Sequence, residues 1–144
     1  MRTVGLLALA ILLPAFAHAA DAPTPATYTI SHDTLYPAAA AESGLATTTA
    51  IDVAFSEPVK VSIKILSASG AMVKSLYSSS SVTNPTPKMW DGMNTSGARV
   101  DDGTYTVLIS ATSTATGLSM TDSSKTNTVA SPGAPRVSPD TTST

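Results

Sequence analysis

The amino-acid sequence predicts an all-β sandwich of about seven strands. Three observations predict it. Apolar residues recur with a period of two, turn signals separate the short runs, and no segment of about 10–15 residues carries a helical period. The chain has 144 residues, which fits one domain, with 42% hydrophobic and 12% charged residues and a net charge of -2. The charge is sparse and no cluster of Lys and Arg stands anywhere, which argues against nucleic acid or another polyanion as a partner.

Residues 1–19 read as a secretory signal peptide. Arg2 supplies the positive start, residues 4–13 are uncharged and apolar, and Pro14 ends the run. Ala17, His18 and Ala19 place small residues where a signal peptidase reads, so cleavage is expected after Ala19. The run falls short of the roughly 20 apolar residues that a bilayer-spanning helix needs, so no membrane anchor is expected after cleavage. There is no cysteine. That closes the lipoprotein route and excludes disulfides, thiolate metal sites and a cysteine nucleophile. The exported domain must rely on its apolar core alone.

Residues 20–27, with two prolines, read as a linker, and the sandwich is expected over residues 28–130. Tyr28 and Ile30 alternate with polar residues in a first, edge-like strand, with Leu35 close behind. Residues 37–44 are alanine-rich but end at Gly44, and read as a loop. Ile51, Val53 and Phe55 form one alternating run, which Pro58 closes off. Val59, Val61, Ile63 and Ile65 form the next. Each run turns β-branched and aromatic side chains to one face and wets the other. After a turn at residues 67–70, a strand over residues 72–77 has Val73 and Leu76 out of alternation, which a bulge would accommodate. Residues 78–81, four serines, read as a loop. Turn clusters follow at residues 94–97 and 101–103. Tyr105, Val107, Ile109 and Ala111 then share one face of a strand, and residues 118–129 form a Thr-rich last strand or hairpin. From Ser131 to the end, Pro, Ser and Thr indicate a disordered tail over residues 131–144.

Catalytic chemistry finds no constellation here. His32 is the one histidine after the signal segment, and its neighbour Asp33 points to the opposite face of a strand. No Gly-x-Ser-x-Gly elbow occurs, and His32 has no nearby partners for zinc. Asp91, Asp101 and Asp102 stand in turn contexts, where Asp bonds to backbone, rather than across a cleft as a glycosidase needs. The Asn94-Thr95-Ser96 triplet matches a glycosylation acceptor in form only. Neither catalytic residues nor a cofactor or metal are expected.

Three features occur together in order: the Val-rich run from residue 59 to Gly70; Trp90-Asp91-Gly92; and Gly97 followed by Asp101, Gly103 and Tyr105. This order resembles the immunoglobulin-like domain of the flagellar hook-capping (FlgD-type) family, over roughly residues 36–129. The resemblance implies an immunoglobulin-like or fibronectin III-like β-sandwich. Trp90 would fill the space between the sheets, Asp91 would cap the following turn, Gly92 would supply a conformation that a Cβ forbids, and Tyr105 would form a tyrosine corner. The alternative is an aromatic ligand platform made by Trp90 and Tyr105.

Hook-capping proteins leave through the flagellar channel without a cleaved signal, and the resemblance here includes no hook-interacting region. A direct role in hook assembly is therefore not expected. The sequence points instead to an exported, non-catalytic structural or assembly module, periplasmic or at the cell surface, with a protein partner or surface assembly. The alternatives are a polysaccharide- or protein-binding module using residues 78–88 and 93–99, and a filament subunit donating residues 21–32 to a neighbour's sheet.

Many relatives carry an Asn/Asp/Gly-rich loop before the first core strand, sometimes read as a calcium loop. Here residues 37–44 offer one carboxylate, Glu42, against the six to eight oxygens that calcium takes. EDTA is therefore expected to leave the melting temperature unchanged; a drop on chelation would contradict this reading.

Overall fold

The computed structural model of the protein describes residues 20–133. The expected signal peptide and most of the expected tail lie outside the described residues. Among the described residues, eight strands form two sheets. In the smaller, β1 (Pro25–Ile30), β3 (Thr49–Phe55) and β6 (Lys88–Trp90) run in the order β1-β3-β6. In the larger, β2 (Thr34–Leu35), β4 (Val59–Leu66), β5 (Met72–Val82), β7 (Gly103–Ser113) and β8 (Ser119–Val129) run in the order β2-β8-β7-β4-β5. Neighbours are antiparallel except β2, which runs parallel to β8. A 3-10 turn, Ala41–Ser43, lies inside the segment read as a loop.

The period-two pattern becomes the core directly. Ile51, Val53 and Phe55 of β3 face Val59, Val61, Ile63 and Ile65 of β4 and Val107, Ile109 and Ala111 of β7, all at most 3% exposed. Register locks these faces together, with Ile63 opposite Ile109 and Ile65 opposite Val107. Each such aliphatic side chain contributes about 1.5–3 kcal/mol on burial, and a one-residue slip would turn the whole set to solvent.

The structure departs from the sequence reading at three places. First, β1 begins at Pro25, so part of the segment read as linker pairs with β3. The register shift after Pro25 accommodates a residue with no N–H to give the ladder. Second, Leu35 does not extend the first strand. The chain leaves the smaller sheet after Ile30 and joins the larger at Thr34, burying Leu35 completely. The switch is held at His32, whose carbonyl accepts from Thr49 Oγ1 at 3.1 Å and Asn127 Nδ2 at 2.5 Å. Thr49 and Asn127 are both fully buried. Third, residues 78–81 are strand, not loop. Ser62 and Val61 of β4 pair with Ser78 and Ser79, so backbone pairing overrides the weak strand preference of serine. The expected irregularity in β5 is real. The register jumps from Tyr77 to Ser75 and from Lys74 to Met72, passing over Leu76 and Val73.

Four strand edges remain outside the ladders, and each is blunted. β2 has two residues; β6 has three and follows Pro85 and Pro87; β1 carries Pro25; β5 has three register shifts. The two open sides of the sandwich are each closed by a lysine over a tyrosine ring. Lys88 Nζ lies 4.2 Å from the Tyr77 ring centre between β6 and β5, and Lys125 Nζ lies 5.1 Å from that of Tyr28 between β8 and β1. Tyr28 donates to the Val107 carbonyl at 3.3 Å; burial pushes its phenol pKa up, and the charge of Asp122 adds to the shift.

Asn127 and Thr49 both bond the His32 carbonyl where the chain changes sheets. Asn127→Ala removes one of the two side-chain donors to the His32 carbonyl and is expected to destabilise by about 0.5–1.5 kcal/mol in urea unfolding. An unchanged urea midpoint would show that the switch does not depend on it.

Candidate functional site

The residues singled out in the sequence meet at one end of the sandwich. Trp90, the last residue of β6, is fully buried. Its indole Nε1 donates to the Met93 carbonyl at 3.0 Å, so a large apolar ring is buried with its one polar atom satisfied. Its ring meets that of Tyr105 edge to face, with centres 5.5 Å apart and planes at 62°. Tyr105, near the start of β7, donates its hydroxyl to the Asp101 carbonyl at 2.7 Å. Burial raises its phenol pKa, and the charge of Asp101 adds to the shift. The two aromatics are thus packing groups between the sheets and not a platform open to ligands.

The turns around them use their polar side chains on the backbone. Asp91 Oδ1 accepts from the Met93 amide at 3.1 Å and lies 3.5 Å from Lys74 Nζ. Gly92 has φ 72°, and a Cβ there would drive into the Pro37 ring, so both backbone angle and space require glycine. Asn94 Oδ1 accepts from the amides of Ser96 and Ala98, both at 3.0 Å, in a turn that Gly97 completes with φ 80°. Met93 and Arg99 bridge across the base of this turn. Arg99 Nη2 lies 2.6 Å from Asp102 Oδ1, while Asp102 Oδ2 accepts from the Ser131 amide at 2.9 Å. The Arg99 hydrogen bond, joined by those from Ser131, holds the Asp102 carboxyl below the usual carboxylate range. The pair is solvent-exposed, so it positions the chain leaving β8 more than it stabilises the fold. Gly103 opens β7.

Trp90, Asp91, Gly92, Gly97, Asp101, Gly103 and Tyr105 therefore lie on two connected turns or on the ends of the strands they join, about one indole. His32 stands elsewhere, at the sheet switch, exposed and with Nδ1 3.0 Å from Ser31 Oγ. Among the described residues, no group of three or more His, Asp or Glu gathers as for a metal ion. An open groove of about 620 Å³ runs beside the turns, lined in part by Ser67, Met72, Val73, Asn94, Arg99 and Tyr105. One of the two candidate binding loops, residues 93–99, forms part of its wall. The other, residues 78–88, is mostly strand. Sequence reasoning passed over Thr49 and Asn127. The signal for Asn127 was present, because it shares a β8 face with buried Val129.

The model of the FlgD Ig-like domain matches residues 38–115. The chain belongs to the FlgD Ig-like domain family. The match starts just after Pro37 and ends past β7, so it takes in both turns, Trp90 and Tyr105, while β1, β2 and β8 lie outside it. Among solved structures, the chain is similar to one titled dimeric latent PorU from Porphyromonas gingivalis. The TM-score is 0.53 at 15% identity over 72% of this chain, and the likeness covers 9% of that protein's length. At that identity the likeness concerns the fold alone. No curated protein matches the chain.

Trp90→Ala would open a cavity between the sheets and unpair the Met93 carbonyl. A loss of about 3–5 kcal/mol in chemical denaturation is expected. Tyr105→Phe, which removes only the bond to Asp101, should lose about 0.5–1.5 kcal/mol. Equal effects of the two variants would contradict this division of roles.

Proposed function

We propose that this FlgD Ig-like domain is an exported, non-catalytic module that serves a structural or interaction role in an assembly outside the cytoplasm. The observation that carries the reading is how the family-matched turns use their functional groups. The Asp91 and Asp102 carboxylates bond backbone amides, the Asp101 carbonyl takes the Tyr105 hydroxyl, and Trp90 spends its N–H on Met93. The chemistry-bearing residues at this end are those that hold the turns. Residues 1–19 supply the export signal, and the partner is a protein or surface assembly. A similar sandwich occupying 9% of the length of PorU supports the view that the fold works as a module. Pairing of β1 with β3 of its own chain favours a self-contained domain over a filament subunit with a donated first strand.

Expression of the full chain with a C-terminal tag in a bacterial host, followed by fractionation and N-terminal sequencing, tests the export. The expected product is outside the cytoplasm and starts at Ala20. A cytoplasmic product that keeps residues 1–19 would overturn the proposal.

A further inference from the structure

We propose that the open groove beside the two turns is the docking site of the chain's own C-terminal segment, residues 134–144. The inference goes beyond the export reading and does not depend on it.

The way the chain leaves the sandwich points to this occupant. Past β8, the Ser131 amide donates to Asp102 Oδ2 at 2.9 Å, and Arg99 Nη2 donates to Ser131 Oγ at 3.3 Å. Arg99 is also a wall residue of the groove of about 620 Å³. The chain is thus pinned at the groove's rim just before the described residues end at Gly133. The same guanidinium has a donor to spare, because its buried Nε has no partner among the described residues. Buried donors are ordinarily paired, and the chain that follows Ser131 carries the nearest supply of carbonyls.

Reach and composition fit as well. The groove extends from Arg99 and Asp101 to Met72 and Val73 at the start of β5. In the order β8-β7-β4-β5, the exit and this far wall are three strand spacings apart, about 14 Å. Prolines at 132, 135 and 139 favour an extended polyproline II path, which advances about 3.1 Å per residue. Six residues from Ser131 cover about 19 Å, so Val137 reaches the far wall. That wall is apolar: Met72, at 58%, is the most exposed large hydrophobic residue of the described chain. Asp101 takes part in neither ion pair among the described residues, and Arg136, the segment's one cation, immediately precedes Val137.

A groove with one apolar contact and one ion pair holds a free peptide weakly. Tethering changes the balance. At an effective concentration of about 1 mM, a site with a Kd of about 0.1 mM is filled roughly nine-tenths of the time. A composition that leaves a free chain disordered is no obstacle to docking on these terms, and the prolines reduce the ordering cost.

Hydrogen peroxide oxidation of the purified protein, read by peptide mass spectrometry, tests this. Met89 of β6, 55% exposed and in the other sheet, serves as the internal reference for Met72. Truncation after Gly133 should speed Met72 oxidation about tenfold and leave Met89 unchanged. Arg136→Asp should speed it in the same direction, and Asp101→Arg/Arg136→Asp should restore protection. A Met72 rate that truncation leaves unchanged would overturn the proposal, and so would protection lost on dilution, which would place a second copy's segment in the groove. If truncation speeds both methionines, the fold itself has loosened, and engineered cysteines decide. The chain has none of its own. Met72→Cys/Val137→Cys should close to an intramolecular disulfide faster than Thr104→Cys/Val137→Cys. Thr104 is exposed beside the exit, opposite Thr128 of β8, where an undocked segment would arrive at least as readily. Equal closure, or faster closure at Thr104, would also overturn the proposal.

Discussion

The indole of Trp90 is the constraint about which the rest of this domain is arranged. It comes from a strand of three residues at the edge of the smaller sheet, yet it is completely enclosed, with its N–H on the Met93 carbonyl and the Tyr105 ring against it. Its N–H selects the position of Met93; Asp91 fixes the same residue from the other side through its amide; Tyr105 closes on the ring edge and is itself tied to Asp101. A buried aromatic with a polar atom is stable only where that atom is paired. The local sequence is thus bound by one requirement: to supply a carbonyl to the indole while letting the chain turn at Gly92 against Pro37.

A second polar arrangement does comparable work at the other end of the chain order. Thr49 and Asn127 are buried in strands of different sheets, and both bond His32, the residue at which the first strand gives way to the second. Here the functional group is the histidine backbone, while its ring is exposed. This single clasp joins β3 to β8 across the gap between the sheets, and it lets one N-terminal segment contribute to both layers.

Much of the architecture was legible because most of the core is built from strict alternation. The runs at Ile51, Val59 and Tyr105 each announce a strand with one apolar face, and a side-chain period of two leaves little freedom over which face is buried. The out-of-phase Val73 and Leu76 were legible for the same reason: a break in the period marks the residue that the ladder passes over. What could not be read was set by partners distant in sequence. Four consecutive serines carry no strand signal of their own; they become strand because Val61 and Ser62 lie alongside. Leu35 is a two-residue strand created by Thr128 and Val129, more than 90 residues away. The turns about Trp90 were legible because Asp, Asn and Gly act on their immediate neighbours.

The blunted strand edges have a consequence for crowding. An unguarded edge invites a second chain to add to it, and the risk rises with local concentration. Here the proline-guarded, bulged and very short outer strands leave little continuous template for an incoming segment. Copies can therefore be crowded side by side, or strung in tandem within a longer polypeptide, without exchanging strands or seeding aggregates, and contacts between them would fall to their faces.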